Sequence, residues 1–177
     1  MRLRVIAGEF RSRLLKSVPG LETRPTPDRL REALFNVLTP VIEDSVFVDA
    51  YAGTGAVGIE ALSRGAKRAI FVERNRAAVG VIRDNLGALG IADRAEVFTG
   101  KAAPVLERVT ADIVFLDPPY ALAKEYEESL KTLGERTTGL VIVQHAHRQP
   151  LNDEYGSLRR SRILRQGDNA LSFYSKG

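Results

Sequence analysis

The sequence has no cysteine among its 177 residues, which removes disulfide scaffolds, thiolate zinc sites and any cysteine nucleophile. Histidine is almost as scarce. His145 and His147 have the spacing of a metal-ligand pair on a strand, but no third ligand accompanies them, so they read as polar residues of an edge strand and no metal is expected. Long apolar runs are missing too. The apolar stretch in MRLRVIAGEF is short for a secretory signal, and no segment approaches the ~18 apolar residues of a membrane span, so a soluble, cytoplasmic chain with no membrane partner is expected. Repeats, low-complexity tracts and interdomain linkers are also lacking. A hydrophobic content of 44% over this length fits one globular core and leaves little room for a second catalytic domain.

What the sequence does have is positive charge in one place. Residues 1 to 40 hold eight basic residues, Arg2, Arg4, Arg11, Arg13, Lys16, Arg24, Arg29 and Arg31, against four acidic ones. The formal net charge of +4 is therefore carried there, and the rest of the chain is balanced. Seven of the eight are arginine, which pairs bidentately with phosphate and stacks on bases. A solvated, solubilising face is the alternative.

The N-terminal pattern predicts a β-hairpin, Leu3 to Ala7 and Phe10 to Leu15 around Gly8 and Glu9. A helix follows, with Thr26 as cap, Pro27 at its first position, a stripe of Leu30, Leu34, Val37 and Leu38, and Pro40 as its end. From residue 45, short apolar runs alternate with amphipathic stretches. Strands are expected at 46–49, 69–73, 95–99, 113–117 and 140–144, and helices near 56–64, 76–89, 101–108 and 125–134, with Gly90 capping the helix before it. Such alternation predicts a parallel sheet covered on both faces. Residues 157–165 and 170–174 read instead as two strands joined by a tight turn.

The first strand of the alternating region runs into Asp49-Ala50-Tyr51-Ala52-Gly53-Thr54-Gly55-Ala56-Val57-Gly58, and a helix follows at once. Gly53 and Gly55 let the backbone turn tightly and approach a ligand, and the helix N-terminus adds unpaired N–H groups. The second strand ends in Glu73, where a carboxylate would accept hydrogen bonds from ribose hydroxyls. Loop and acid together also suit a nicotinamide dinucleotide. Asp49 and the lack of a second domain favour S-adenosylmethionine, because a carboxylate suits a cationic sulfonium better than a pyrophosphate.

Directly after the run Ile113-Val114-Phe115-Leu116 come Asp117-Pro118-Pro119-Tyr120. In open α/β sheets ligands bind at the carboxyl ends of strands where the strand order reverses, so Asp117 would face the glycine loop. An exocyclic amine on a base is a poor nucleophile because its lone pair is delocalised into the ring. The Asp117 carboxylate and Pro118 carbonyl could accept its protons and localise that pair, with Tyr120 stacking on the base for roughly 1–3 kcal/mol. A Pro-Pro exit from the sheet is the plainer reading. Arg159, Arg160, Arg162 and Arg165 fit a second phosphate-binding strip and a solvated outer strand equally well.

The assembled pattern resembles the bacterial small-subunit (16S) ribosomal RNA guanine-N2 methyltransferases of the RsmD type. The resemblance covers R-V-I-A-G-E-F-R at 4–11, T-R-P-T-P-D-R-L-R-E-A-L-F-N-V-L at 23–38, G-I-E-A-L-S-R-G-A at 58–66, F-V-E-R at 71–74, D-P-P-Y at 117–120 and G-D-N-A-L-S-F-Y at 167–174. It implies an α/β, Rossmann-like methyltransferase fold, mostly parallel with a C-terminal antiparallel strand. To this it adds a small N-terminal hairpin and helix extension: residues 1–40 as a basic RNA-binding extension using Arg4, Arg11 and Arg13, and residues 41–177 as the methyltransferase domain. S-adenosylmethionine is the implied donor, a guanine N2 of ribosomal RNA or of an assembling small subunit the acceptor. Thr23, Arg24 and Pro25 are implied to lie near cofactor and base. The chain departs from its relatives at Gly100-Lys101-Ala102, beside the expected adenine, and at Tyr51 and Gln144, which are read as remote from the chemistry. A DNA or protein amino-methyltransferase would usually add a target-recognition domain, and a non-catalytic RNA-binding relative need not keep Asp117 and Glu73 together.

Overall fold

The computed structural model describes residues 2–19, 26–119, 121–136 and 139–177. Strands β1 (Val46–Asp49), β2 (Arg68–Glu73), β3 (Ala95–Thr99), β4 (Ile113–Leu116) and β5 (Leu140–Ala146) form a parallel sheet in the order β3-β2-β1-β4-β5. Strands β6 (Glu154–Tyr155), β7 (Leu158–Gln166) and β8 (Asn169–Lys176) extend it antiparallel as β5-β8-β7-β6. The two strands expected at 157–165 and 170–174 are β7 and β8, with β8 placed between β5 and β7, and the short β6 is added to them. The tight turn is Gly167-Asp168, with Gly167 in the left-handed region at φ 61°.

Helices cover both faces, which is why β1 and β4 read as nearly continuous apolar runs. Helices α1 (Asp28–Ile42), α2 (Ala56–Ser63) and α3 (Arg76–Leu89) pack through Leu34, Ile59 and Ile82 on Phe47, Phe71 and Phe115. On the other face α4 (Ala102–Leu106) and α5 (Ala123–Gly134) bring Leu106, Tyr126 and Leu130 onto Val48, Val114 and Val143. Gly90 ends α3 in the left-handed conformation its sequence signalled, at φ 70°. Among the described residues no helix is long and apolar enough to cross a membrane.

Three local expectations are corrected. The N-terminal segment does double back, with Val5 N–H to Arg13 O at 3.0 Å and Leu15 N–H to Leu3 O at 2.9 Å, but it forms only one bridge, Arg4 to Leu14, and no strands. The donors a hairpin would need are taken by α2. Ile6 and Ala7 N–H donate to the two Glu60 carboxylate oxygens at 2.9 and 3.0 Å, Glu9 N–H to Ser63 O, and Phe10 N–H to Ser63 Oγ. Gly8 lies so close that a Cβ there would collide with the Ser63 carbonyl. Thr26 does not cap α1; Pro27 holds the cap position without a side-chain hydrogen bond, and the Thr26 hydroxyl is used elsewhere. Pro40 does not end α1, which continues to Ile42. The carbonyl that Pro40 leaves without a donor belongs to exposed Asn36, where water can serve it, and the extra turn buries Ile42.

Candidate active site at the carboxyl ends of the strands

Register, rather than proximity in sequence, assembles the site. Asp49 pairs with Phe71 and Phe115, and Phe115 with Ile142, so these residues point to one face. Two residues further along each neighbouring strand come Glu73, Asp117 and Gln144. All three line, with Asp49, a cavity of about 500 Å³ above the sheet edge. The cavity straddles the β1–β4 boundary, where the strand order reverses.

The three glycines of the loop act differently. Gly53 and Gly55 have φ of 57° and 83°, a region that costs other residues strain, and a Cβ on Gly53 would meet nothing. The Gly53 backbone is therefore open to the cavity it lines. Gly58 is a packing position instead: a Cβ there would lie 2.4 Å from the Phe71 ring, so only glycine lets α2 sit this close to the sheet. Tyr51, although not glycine, is held at φ 109°.

Glu73 is held at both oxygens, accepting from Gly53 N–H at 2.8 Å and Asn75 N–H at 2.8 Å. Its remaining lone pairs are the acceptors a ribose diol would use. Asp49 is 2% exposed and accepts from Gly58 N–H at 2.9 Å. Burial pushes its pKa up to about 8, against the lowering effect of that bond and helped by the negative charges of Asp117 and Glu73. The unfolded chain releases near pH 4 a proton that the folded protein holds up to about pH 8, so this contribution to stability is lost progressively as pH rises from about 4 to about 8. A cation in the cavity would favour the ionised form. Cationic ligand binding should then release a proton at pH 7 and tighten up to about tenfold per pH unit toward pH 8, flattening above it. Calorimetry in buffers of different ionisation enthalpy reads this directly. The Asp49→Asn variant should lack the proton release; an equal release from it would assign the proton elsewhere.

Asp117 is half-buried, and Pro118 behind it is buried. The Tyr126 hydroxyl donates to the Pro118 carbonyl at 3.2 Å, occupying one lone pair and fixing the direction of the other. Thr23, Arg24, Pro25 and Tyr120 lie outside the described residues; their neighbours Thr26, Pro119 and Ala121 line the cavity.

Sequence reasoning placed Tyr51 and Gln144 away from the chemistry, yet both line the cavity. The Tyr51 hydroxyl hydrogen-bonds Ser129 Oγ at 2.7 Å and Glu125 at 3.2 Å, and Glu125 also meets Arg74 at 3.3 Å. Burial pushes the Tyr51 phenol pKa up. Glu125 carried no local signal, because α5 reaches the cavity only in the folded chain, whereas Arg74 directly follows Glu73 at the end of β2. Gly100 and Ala102 also line it, and Lys101 is exposed.

The basic residues divide. Arg4 and Arg11 are exposed, with no side-chain partner among the described residues, whereas Arg13 reaches the Ala88 carbonyl at 3.3 Å. Arg31, one of the eight basic residues of the N-terminal segment, is fully buried beside Glu60 and is no surface cation. On β7, Arg159 pairs with Glu154 and Arg160 with Asp153, while Arg162 lies over the Phe173 ring. His145 is not an edge residue: β8 covers β5, His145 is buried, and its Nε2 lies 2.7 Å from Ser172 Oγ. Among the described residues no group of three or more His, Cys, Asp or Glu is placed to hold a metal.

Residues 3–175 match the family model described as "Conserved hypothetical protein 95". Over 98% of its length the chain is 33% identical to the Bacillus subtilis protein named "Putative rRNA methyltransferase YlbH", covering 99% of that protein. It is 44% identical to the Escherichia coli "Ribosomal RNA small subunit methyltransferase D" over 67% of this chain and 61% of that one. Among solved structures, "Putative methyltransferase yhhF" from Escherichia coli superposes with a TM-score of 0.84 at 35% identity, over 99% of this chain and 98% of that one. With this near-complete match, a methyltransferase sheet order and the loop-and-acid geometry of the cavity, the chain belongs to the RsmD family of small-subunit ribosomal RNA methyltransferases.

Proposed function

We propose that the protein transfers a methyl group from S-adenosylmethionine to the exocyclic N2 amine of a guanine in 16S ribosomal RNA, free or within an assembling small subunit in the cytoplasm. The observation that carries this reading is the shared cavity, in which the Gly53–Gly55 loop and Glu73 stand across from Asp117 and Pro118. The names of the relatives support the ribosomal RNA part. The residues present fit the donor: open backbone at Gly53, a fixed carboxylate at Glu73, and Asp49 able to answer a positive charge. When bound, S-adenosylmethionine supplies an electrophilic methyl on a sulfonium. Asp117 accepts a hydrogen bond from the target amine and the free lone pair of Pro118 O accepts a second, which turns the nitrogen lone pair toward the methyl. Tyr120 is assigned the stacking face, and Thr23, Arg24 and Pro25 the approach between cofactor and base. Catalysis is then positioning and electrostatics, with no covalent enzyme intermediate. The extra proton on the methylated nitrogen leaves to water.

Nucleoside mass spectrometry of small-subunit RNA tests this reading. A strain lacking the gene should lack one N2-methylguanosine, and wild-type protein should restore it. An unchanged nucleoside profile would overturn the assignment.

Residues 1–40 serve in this reading as the RNA-binding extension of the unit formed by 41–177. Arg4 and Arg11, exposed and without partners among the described residues, are its phosphate-binding groups, and Arg13 joins them by giving up Ala88. Replacing Arg4 and Arg11 by alanine should flatten the slope of log affinity against log salt by roughly 0.7 for each phosphate no longer neutralised, for single-stranded RNA. Cofactor affinity should not move. An unaltered salt slope would return this segment to a solvated face.

A further inference from the structure

The end of β5 holds a polar side chain that the proposed methyl transfer leaves without a task. Gln144 is 4% exposed and lines the cavity. Leu116 pairs with Val143, so the next residues on the two strands, Asp117 and Gln144, stand side by side on one face. The Thr26 hydroxyl donates to Gln144 Oε1 at 3.2 Å, and Thr26 lines the same cavity. As placed, that bond uses one of the two lone pairs of Oε1 and leaves the other for a ligand. A polar amide lining a ligand cavity is placed to hydrogen-bond whatever enters it.

We infer that Gln144 reads the target base as guanine, its Oε1 accepting the ring N1–H that flanks the amine held by Asp117. The inference rests on the guanine-N2 reading and deepens it. Guanine is the amino-bearing base with a ring N–H beside its amine; in adenine and cytosine the adjacent ring nitrogen is an acceptor. An acceptor next to Asp117 therefore rewards guanine and sets oxygen against a nitrogen lone pair in the other two. Thr26 is the positioning residue, because its hydroxyl keeps the amide oxygen in place.

The test compares two targets in small-subunit RNA or particles, whichever the wild type modifies: guanine, and 2-aminopurine at the same position. The analogue keeps the 2-amine but has no N1–H. Wild type should favour guanine in kcat/KM by about tenfold or more, the worth of one hydrogen bond. Gln144→Met should lose about that factor on guanine and little on 2-aminopurine, so the preference collapses. Gln144→Glu keeps an acceptor and should keep the preference; Thr26→Val should weaken it. Equal losses on both bases would make Gln144 a structural support and overturn the inference. So would an intact preference in Gln144→Met. If that variant fails to fold, the wild-type, Gln144→Glu and Thr26→Val ratios still decide the matter. N2-methylguanosine formed with no wild-type preference between the two bases defeats this inference alone. A product other than N2-methylguanosine defeats the guanine reading beneath it.

Discussion

Asp117→Ala should slow single-turnover methyl transfer by about 10²-fold or more, the effect expected on removing one preorganised polar group from a transition state. Asp117→Asn should retain a substantial part of the rate. The difference separates two mechanisms that fit a half-buried carboxylate at the end of β4. A general base that must take the amine proton before transfer makes both variants equally inactive, since an amide cannot accept that proton at neutral pH. A hydrogen-bond acceptor leaves Asn working, because its carbonyl oxygen still localises the lone pair. We favour the acceptor, because the nitrogen becomes strongly acidic once methylated and needs no base beforehand. Single-turnover rates at saturating cofactor and RNA separate chemistry from binding. Near-wild-type rates in both variants would reduce Asp117-Pro118-Pro119 to a structural exit from the sheet.

The second large effect is on stability. Glu60 is fully buried and accepts from Ile6 N–H, Ala7 N–H and, at 2.8 Å, Arg64 Nε; its other oxygen lies 3.9 Å from Arg31 Nη1. Arg31 is fully buried too, its Nη2 donating to Arg4 O at 2.9 Å and Asp28 Oδ1 at 3.0 Å. Glu60→Ala would remove the acceptor of two backbone donors and of Arg64, leave buried Arg31 with Asp28 as its carboxylate partner, and should cost about 3–5 kcal/mol in urea unfolding. Converting both partners, Glu60→Leu with Arg31→Met, should recover the part of that loss that comes from the buried charge, while Ile6 and Ala7 N–H stay without their acceptor. A single-variant loss below about 1 kcal/mol, the range of exposed pairs, would show that water reaches the pair. The same carboxylate ties the N-terminal segment to α2, the helix that follows the glycine loop, so this segment and the cavity share one anchor.

The sheet was legible because parallel strands buried on both faces must be apolar runs, and because glycines at 53, 55 and 58 mark a strand-to-helix turn with few alternatives. Glu73 and Asp117 were legible as the residues that end such runs. What could not be read is what depends on register and on distant donors. Gln144 joins Asp117 only because β5 pairs with β4 in one register, and Glu125 enters the cavity only through the packing of α5. The N-terminal segment doubles back as its pattern indicated but stops short of strands for a similar reason: the Ile6, Ala7 and Phe10 donors are spent on Glu60 and Ser63, more than fifty residues away. Arg31 looked like surface charge until α1 and α2 closed over it, and His145 looked like an edge residue until β8 inserted beside β5.

The most direct measurement incubates purified protein and S-adenosylmethionine carrying a labelled methyl with small-subunit RNA and particles from a strain lacking the gene, then digests the RNA to nucleosides. The account predicts label in N2-methylguanosine, at about one per RNA, with its rate of appearance cut about 10²-fold or more by Asp117→Ala. Label in a different nucleoside, or no transfer to either RNA or particle while the cofactor is bound, would contradict it.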